Sequence, residues 1–118
     1  MFTVTKRMEV SGAHYLHLDY ESKCTNLHGH NWIITVTVQS EEVDHNGMVV
    51  DFSKIKEIVN RFDHALINDV MGDINPTAEN IAQYLVEVIG PRQLAGTGII
   101  LSEVVVEETM KCFASYGV

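Results

Sequence analysis

Proline, glycine, cysteine and basic residues are all scarce in this chain. With 2 Pro and 8 Gly in 118 residues and no low-complexity segment, collagen-like and disordered classes are excluded. No apolar run approaches the roughly 18 residues a membrane-spanning helix requires. The opening MFTVTKRMEVSG places Lys6, Arg7 and Glu9 where an export signal would be apolar, so no leader is expected. The 2 cysteines, Cys24 and Cys112, then read as free thiols of a reducing, cytoplasmic compartment. Basic residues number 8 against 16 acidic ones, for a net charge of −8. That balance argues against a nucleic-acid surface. It still allows an anionic small molecule, provided a few cations converge locally.

Against these scarcities stand a 46% apolar content, enough for one modest core over residues 1–118, and 6 histidines. Residues 2–11 alternate, with Phe2, Val4, Met8 and Val10 on one side and Thr3, Thr5, Arg7, Glu9 and Ser11 on the other. This is the pattern of a half-buried strand. Residues 15–27 show no period and read as a loop. A second strand over 28–40 puts His28, His30, Trp32, Ile34, Val36 and Val38 on one face. Asn46-Gly47 marks a turn, and MVVDF is expected as a short strand after it. From Ser53 the period becomes helical through Ile55, Ile58, Val59, Phe62 and Leu66, with Asp51 or Ser53 as cap. A loop over 68–75 follows. A second helix begins at Asn75-Pro76-Thr77, with Pro76 in its first turn, and ends at Gly90-Pro91. Strands over 98–108 and 110–116 complete an α+β order: four antiparallel strands with two helices on one face.

Four groupings carry chemistry. His28 and His30, two apart on a strand, point the same way, and His14 approaches them if the first two strands form a hairpin. Three neutral imidazoles on a rigid sheet suit Zn²⁺ and leave a fourth position open. An H-x-H pair alone is more often the mark of ordinary half-buried histidines, but Gly29 between them and the nearby Cys24 strengthen the metal reading. Cys24, beside Lys23, reads in three ways: a plain buried thiol, a fourth zinc ligand, or a thiolate activated by the neighbouring cation. Asp63-His64, near the expected helix end, is either an acid–base pair or a histidine resting on the helix dipole. In the last long strand, Ile100, Ser102, Val104, Val106 and Glu108 are expected on one face, and Ile99, Leu101, Glu103 and Glu107 on the other. Glu108 either reaches water at the strand end or meets a ligand edge bearing two adjacent N–H donors.

Taken in order, SGAH (11–14), CTNLHGH (24–30), DHNGMVVDF (44–52), DH (63–64), LIN (66–68), NPTAEN (75–80) and VEET with Tyr116-Gly117 resemble the 6-pyruvoyl-tetrahydropterin synthase family. Its 6-carboxy-tetrahydropterin synthase branch is the nearer, since Cys24 precedes the triplet as C-x-x-x-H-G-H. The resemblance implies a tunnelling fold whose subunits close a barrel, a homo-oligomer of two stacked trimers with the site at subunit interfaces, and a pterin triphosphate as substrate. It implies zinc on His14, His28 and His30, Cys24 as a base with Asp63 and His64 as its partners, and Glu108 as the anchor of the pterin ring. Thr77 and Glu79 match positions near the pterin, and Lys23 is a candidate for the triphosphate. The implied reaction turns 7,8-dihydroneopterin triphosphate into 6-carboxy-5,6,7,8-tetrahydropterin, a step toward queuosine. Three other readings stand beside it: a 6-pyruvoyl-tetrahydropterin synthase, a non-catalytic zinc module closed by Cys24, and a cysteine hydrolase using Cys24, His64 and Asp63.

Overall fold

A computed structural model describes all 118 residues. Two strands of 13 residues dominate it, β1 (Phe2–His14) and β2 (His28–Ser40), paired antiparallel along their whole length from Phe2 opposite Ser40 to His14 opposite His28. The first strand therefore runs three residues beyond the alternation read in the sequence. β3 (Ala65–Leu66) lies parallel to β1. β4 (Ile100–Thr109) pairs with β2, and β5 (Cys112–Gly117) with β4. The sheet has 5 strands in the order β3-β1-β2-β4-β5, not the four expected. The additional strand is two residues long and makes a parallel pairing, which leaves no periodic trace.

The alternation of β1 and β2 sends Met8, Val10, Trp32, Ile34, Val36 and Val38 into the core. Three helices cover that face. α1 (Phe52–Val59) is capped by Asp51, whose side chain accepts from the Ser53 N–H, and buries Ile55, Ile58 and Val59. α2 is Ile67–Met71. α3 (Ala78–Tyr84) continues as a π-helical turn over Leu85–Ile89 and an α-helical turn over Gly90–Gln93. Each large side chain withdrawn here contributes about 1.5–3 kcal/mol, and Trp32, Phe62, Ile55, Ile81 and Leu85 are among those fully enclosed.

Several local expectations need correction. Residues 48–51 form no strand, because β2 is already flanked by β1 and β4 and has no free edge to offer. The first helix stops at Val59 and tightens into a 3-10 turn at Asn60–Phe62, because the chain must reverse to lay β3 beside β1. The 68–75 stretch carries most of α2. Pro76 precedes the cap instead of occupying the first turn: Thr77 is the N-cap of α3, accepting from the Asn80 N–H. The second helix passes through Gly90-Pro91. The wider turn before Pro91 is where the ladder accommodates a residue without an N–H. Gly90 is required by close approach, since a Cβ there would sit 2.6 Å from Leu101 Cδ1. On β4 a bulge falls where Thr37 faces Glu103 and Val38 faces Leu101. It turns Leu101 into the core and leaves Ile100 53% exposed, reversing the expectation for that pair.

Candidate metal centre and its surroundings

Where the apolar face of β2 ends, its alternation continues into His30 and His28. The pairing sets His14 opposite His28 and Gly12 opposite His30. The three imidazoles gather with ring centroids 4.6 Å (His14–His28), 4.9 Å (His28–His30) and 5.4 Å (His14–His30) apart. Trp32 closes the inner side, 4.8 Å from His14 and 5.0 Å from His30, its indole N–H donating to the Gly12 carbonyl. Gly12 also has to be small outward. A Cβ there would lie 2.9 Å from the Phe62 carbonyl and 3.0 Å from Ile67 Cδ1.

Backbone carbonyls set the rings. His14 Nδ1 is 2.7 Å from the Pro76 carbonyl, and His28 Nδ1 is 2.7 Å from that of Asn26. Donation of Nδ1–H to a carbonyl leaves the Nε2 lone pair free, the usual preparation of a metal-ligating histidine. Burial holds the His14 imidazole below its ordinary pKa range and so keeps it neutral, outweighing the opposite pull of the Pro76 carbonyl. His14 Nε2 and His30 Nε2 are buried without a hydrogen-bond partner. An orphaned buried polar atom is costly, and two of them on neighbouring imidazoles are what a cation would satisfy. The donor set therefore fits Zn²⁺. The ligand atoms of His14, His28, His30 and Glu108 all lie within 4.8 Å of one another.

Glu108 comes from β4, two residues beyond Val106, on the core-facing side as expected. Glu107 instead faces outward, 3.7 Å from Arg7. The presence of Glu108 in the histidine cluster was not legible in the sequence. β4–β5 pairing slips between Glu107 and Thr109, and such a slip re-aims a side chain. The same carboxylate lines a cavity of about 360 Å³ with Ala78, Glu79, Cys112, Phe113 and Ala114. Cys112 and Phe113, which lie outside every motif, are thus neighbours of Glu108.

The remaining candidate residues are spread around this centre. Cys24 sits in a 3-10 turn (Lys23–Thr25) capped by Ser22. It is half-buried, outside the four-residue cluster, and its carbonyl accepts from the Leu16 N–H at 2.8 Å. Lys23 beside it is exposed. Asp63 and His64 are not on a helix. Asp63 is extended, and its Oδ1 accepts from the Ser11 N–H at 2.9 Å. His64 adopts a left-handed φ of 53° and donates its N–H to the Ser11 carbonyl. Its Nε2 is 3.9 Å from Asp63 Oδ1, and its side chain is 84% exposed. It lines an open depression of about 530 Å³ with Ser11, Ala13, Gly29, His30 and Asn31. Thr77 spends its hydroxyl oxygen on the cap of α3, and Glu79 is exposed in the first turn. Two asparagines that sequence reasoning passed over hold the segment after His14. Asn68 bonds both the N–H and the carbonyl of Tyr15, and Asn75 does the same for His17. Their only signal was their place in the LIN and NPT motifs.

Known proteins are similar over nearly the whole chain. The sequence profile described as 6-pyruvoyl tetrahydropterin synthase matches residues 3–117. The 6-carboxy-5,6,7,8-tetrahydropterin synthase of Rickettsia felis is 32% identical over 136 aligned positions, covering 96% of this chain and 98% of the relative. That of Bacillus subtilis is 36% identical over 69 residues, 58% of this chain and 47% of the relative. Among solved structures, the 6-pyruvoyl tetrahydropterin synthase of Caenorhabditis elegans superposes with a TM-score of 0.77 at 29% identity, covering 99% of this chain and 95% of the other. With a profile that spans the sheet, the helices and all four clustered residues, the chain belongs to the 6-pyruvoyl tetrahydropterin synthase family.

Proposed function

We propose that this protein is a zinc-dependent 6-carboxy-tetrahydropterin synthase, converting 7,8-dihydroneopterin triphosphate to 6-carboxy-5,6,7,8-tetrahydropterin with release of acetaldehyde and triphosphate. The observation that carries the reading is the trio His14, His28 and His30, two of them with buried, unpartnered Nε2 atoms. It is supported by a relative of that name aligned over 96% of this chain. Zn²⁺ held by these three would supply Lewis acidity toward the oxygens and adjacent C–H bonds of the pterin side chain.

The chain's own groups do the rest. Cys24, as thiolate, takes a proton from the side chain, and His64, steadied by Asp63, moves a second one. Glu108 accepts two parallel hydrogen bonds from the amino group and ring N–H of the pterin. Thr77 retains its hydroxyl proton for donation while its oxygen caps α3, and Glu79 lines the same cavity as Glu108. Lys23 meets the triphosphate. The working form is a homo-oligomer, a dimer of trimers with sites at subunit interfaces. The 84% exposure of the His64 side chain, on an open depression that it shares with His30, supports its service to a site shared with a neighbouring copy. No helix is long and apolar enough to cross a membrane. A second reading, production of 6-pyruvoyl-tetrahydropterin from the same substrate, is favoured by the likeness to the Caenorhabditis elegans enzyme. Incubation of the zinc-loaded protein with dihydroneopterin triphosphate, followed by mass identification of products, tests both. Acetaldehyde with the carboxy-pterin is expected. A pyruvoyl product would select the second reading, and unchanged substrate would overturn both.

A further inference from the structure

In the substrate-free protein, the geometry points to Glu108 as a fourth ligand of the metal centre, one that leaves when a pterin enters. The inference rests on the metal reading of His14, His28 and His30 and adds a resting state to it.

Three observations carry it. First, Glu108 Oε1 is 2.8 Å from His30 Nε2, yet Nε2 has no hydrogen-bond partner. The pair is at contact distance without the alignment that would make it a hydrogen bond. With Nε2 unprotonated, as metal ligation requires, a carboxylate oxygen held against its lone pair is repulsive by itself and becomes favourable when both face one cation. Second, the four ligand atoms all fall within 4.8 Å of each other. Ligand distances of about 2.0–2.2 Å put tetrahedral neighbours roughly 3.4 Å apart, so one ion can serve all four after small adjustments. A His₃-carboxylate set closes the fourth position and leaves a net charge of about +1, milder to bury than +2. Third, Glu108 has somewhere to go. It stands at the slip in β4–β5 pairing and also lines the cavity shared with Glu79, Cys112 and Phe113. Its side chain is neither locked in the core nor free in solvent.

The consequence is an order of events. While Glu108 closes the metal, a free polyphosphate or other anion has to displace a tethered carboxylate to bind there. A pterin offering two N–H donors draws Glu108 toward the ring, and only then is the fourth position open to the substrate's side-chain oxygens. Ring recognition and metal access become one motion of one side chain.

The test uses the full chain loaded with Co²⁺ in place of Zn²⁺ and read by its visible ligand-field spectrum, without turnover. Wild type, Glu108→Gln, Glu108→Ala and Glu107→Gln are compared, each checked for folding by circular dichroism. Both Glu108 variants should shift the cobalt bands in the absence of any pterin, while Glu107→Gln should not. Azide should bind the cobalt of either Glu108 variant about tenfold or more tighter than that of wild type. Addition of a reduced pterin lacking the triphosphate should move the wild-type spectrum toward that of Glu108→Gln. If one Glu108 variant does not fold, the other carries the comparison; if neither folds, a wild-type spectrum that the pterin leaves unmoved overturns the inference and one that moves supports it. Wild-type and variant spectra that coincide, with equal azide affinity, overturn the inference and leave the three-histidine site standing. Failure of the wild type to bind cobalt or zinc at all overturns the metal reading itself.

Discussion

One continuous face of the β1–β2 ribbon serves two purposes. Toward the Ser40 end it presents Val38, Val36 and Ile34 to the apolar core shared with Ile55, Ile58, Ile81 and Leu85 of the helical layer. Toward the His28 end the same alternation presents His30 and His28 with His14 opposite. The backbone is the same in both halves. The apolar half is satisfied by packing, whereas the histidine half keeps two buried nitrogens without hydrogen-bond partners. Fold stability therefore resides in the first half, and the second is a largely buried end of the same face that the first holds rigid for a ligand.

The largest expected effect tests that division directly. Ile34→Ala, which empties a fully buried side chain of the apolar half, should cost about 2–5 kcal/mol in urea denaturation with a chelator present. Under the same metal-free conditions His28→Ala should fall within about 0.5 kcal/mol of wild type, while losing most bound zinc in metal analysis. Full zinc occupancy in His28→Ala, or equal destabilisation by the two changes, would break the comparison. Next, Cys24→Ala should retain its zinc and lose turnover by about 10²–10⁴. Loss of the metal would instead make Cys24 part of the ligand shell. Glu108→Gln should lower kcat/KM by about 30- to 1,000-fold, the equivalent of about 2–4 kcal/mol. Glu107→Gln, which removes only a long contact with exposed Arg7, should change it little. Equal losses would mean that the two strand faces have been exchanged.

The smallest effect belongs wholly to the structural half. Hydrogen bonds from Ser53, chiefly its backbone N–H, hold the Asp51 carboxyl below its usual value of 3.8. A depressed carboxyl contributes stability that is present above its unfolded pKa and is lost as pH falls through the folded one. Asp51→Asn should accordingly lower the melting temperature slightly at neutral pH. The gap to wild type should narrow below about pH 4, and a gap that widens on acidification would contradict the capping role.

What could be read from the sequence follows the same divide. Unbroken alternation in β1 and β2 revealed the core face and placed His28 beside His30, because both strands pair without interruption where those residues lie. The SGAH and HGH motifs supplied the third histidine. What periodicity could not show was set by breaks in it. The bulge that exchanges Leu101 for Ile100 is local backbone geometry with no hydrophobic signature. The 2.8 Å approach of Glu108 to His30 is equally silent, since alternation shows only the face the two residues share. The helical spacing that ran on to Leu66 was coincidental: Leu66 is half-buried from a two-residue strand, and the intervening Asp63 and His64 answer to Ser11 on β1.

Trp32 gives the protein an optical window on its own centre. It is the sequence's 1 tryptophan, only 1% exposed, and its ring lies about 5 Å from two of the imidazoles. Its emission has no competing indole and reports from the boundary between the packed half and the ligating half. Filling the site with zinc, or with a quenching ion such as Co²⁺, should change the intensity of that emission with little change in its wavelength, since burial of the indole is unaltered. Unfolding should shift the wavelength as water reaches the ring. One unlabelled sample can then separate loss of metal from loss of fold, the two events that the neighbouring halves of this sheet keep apart.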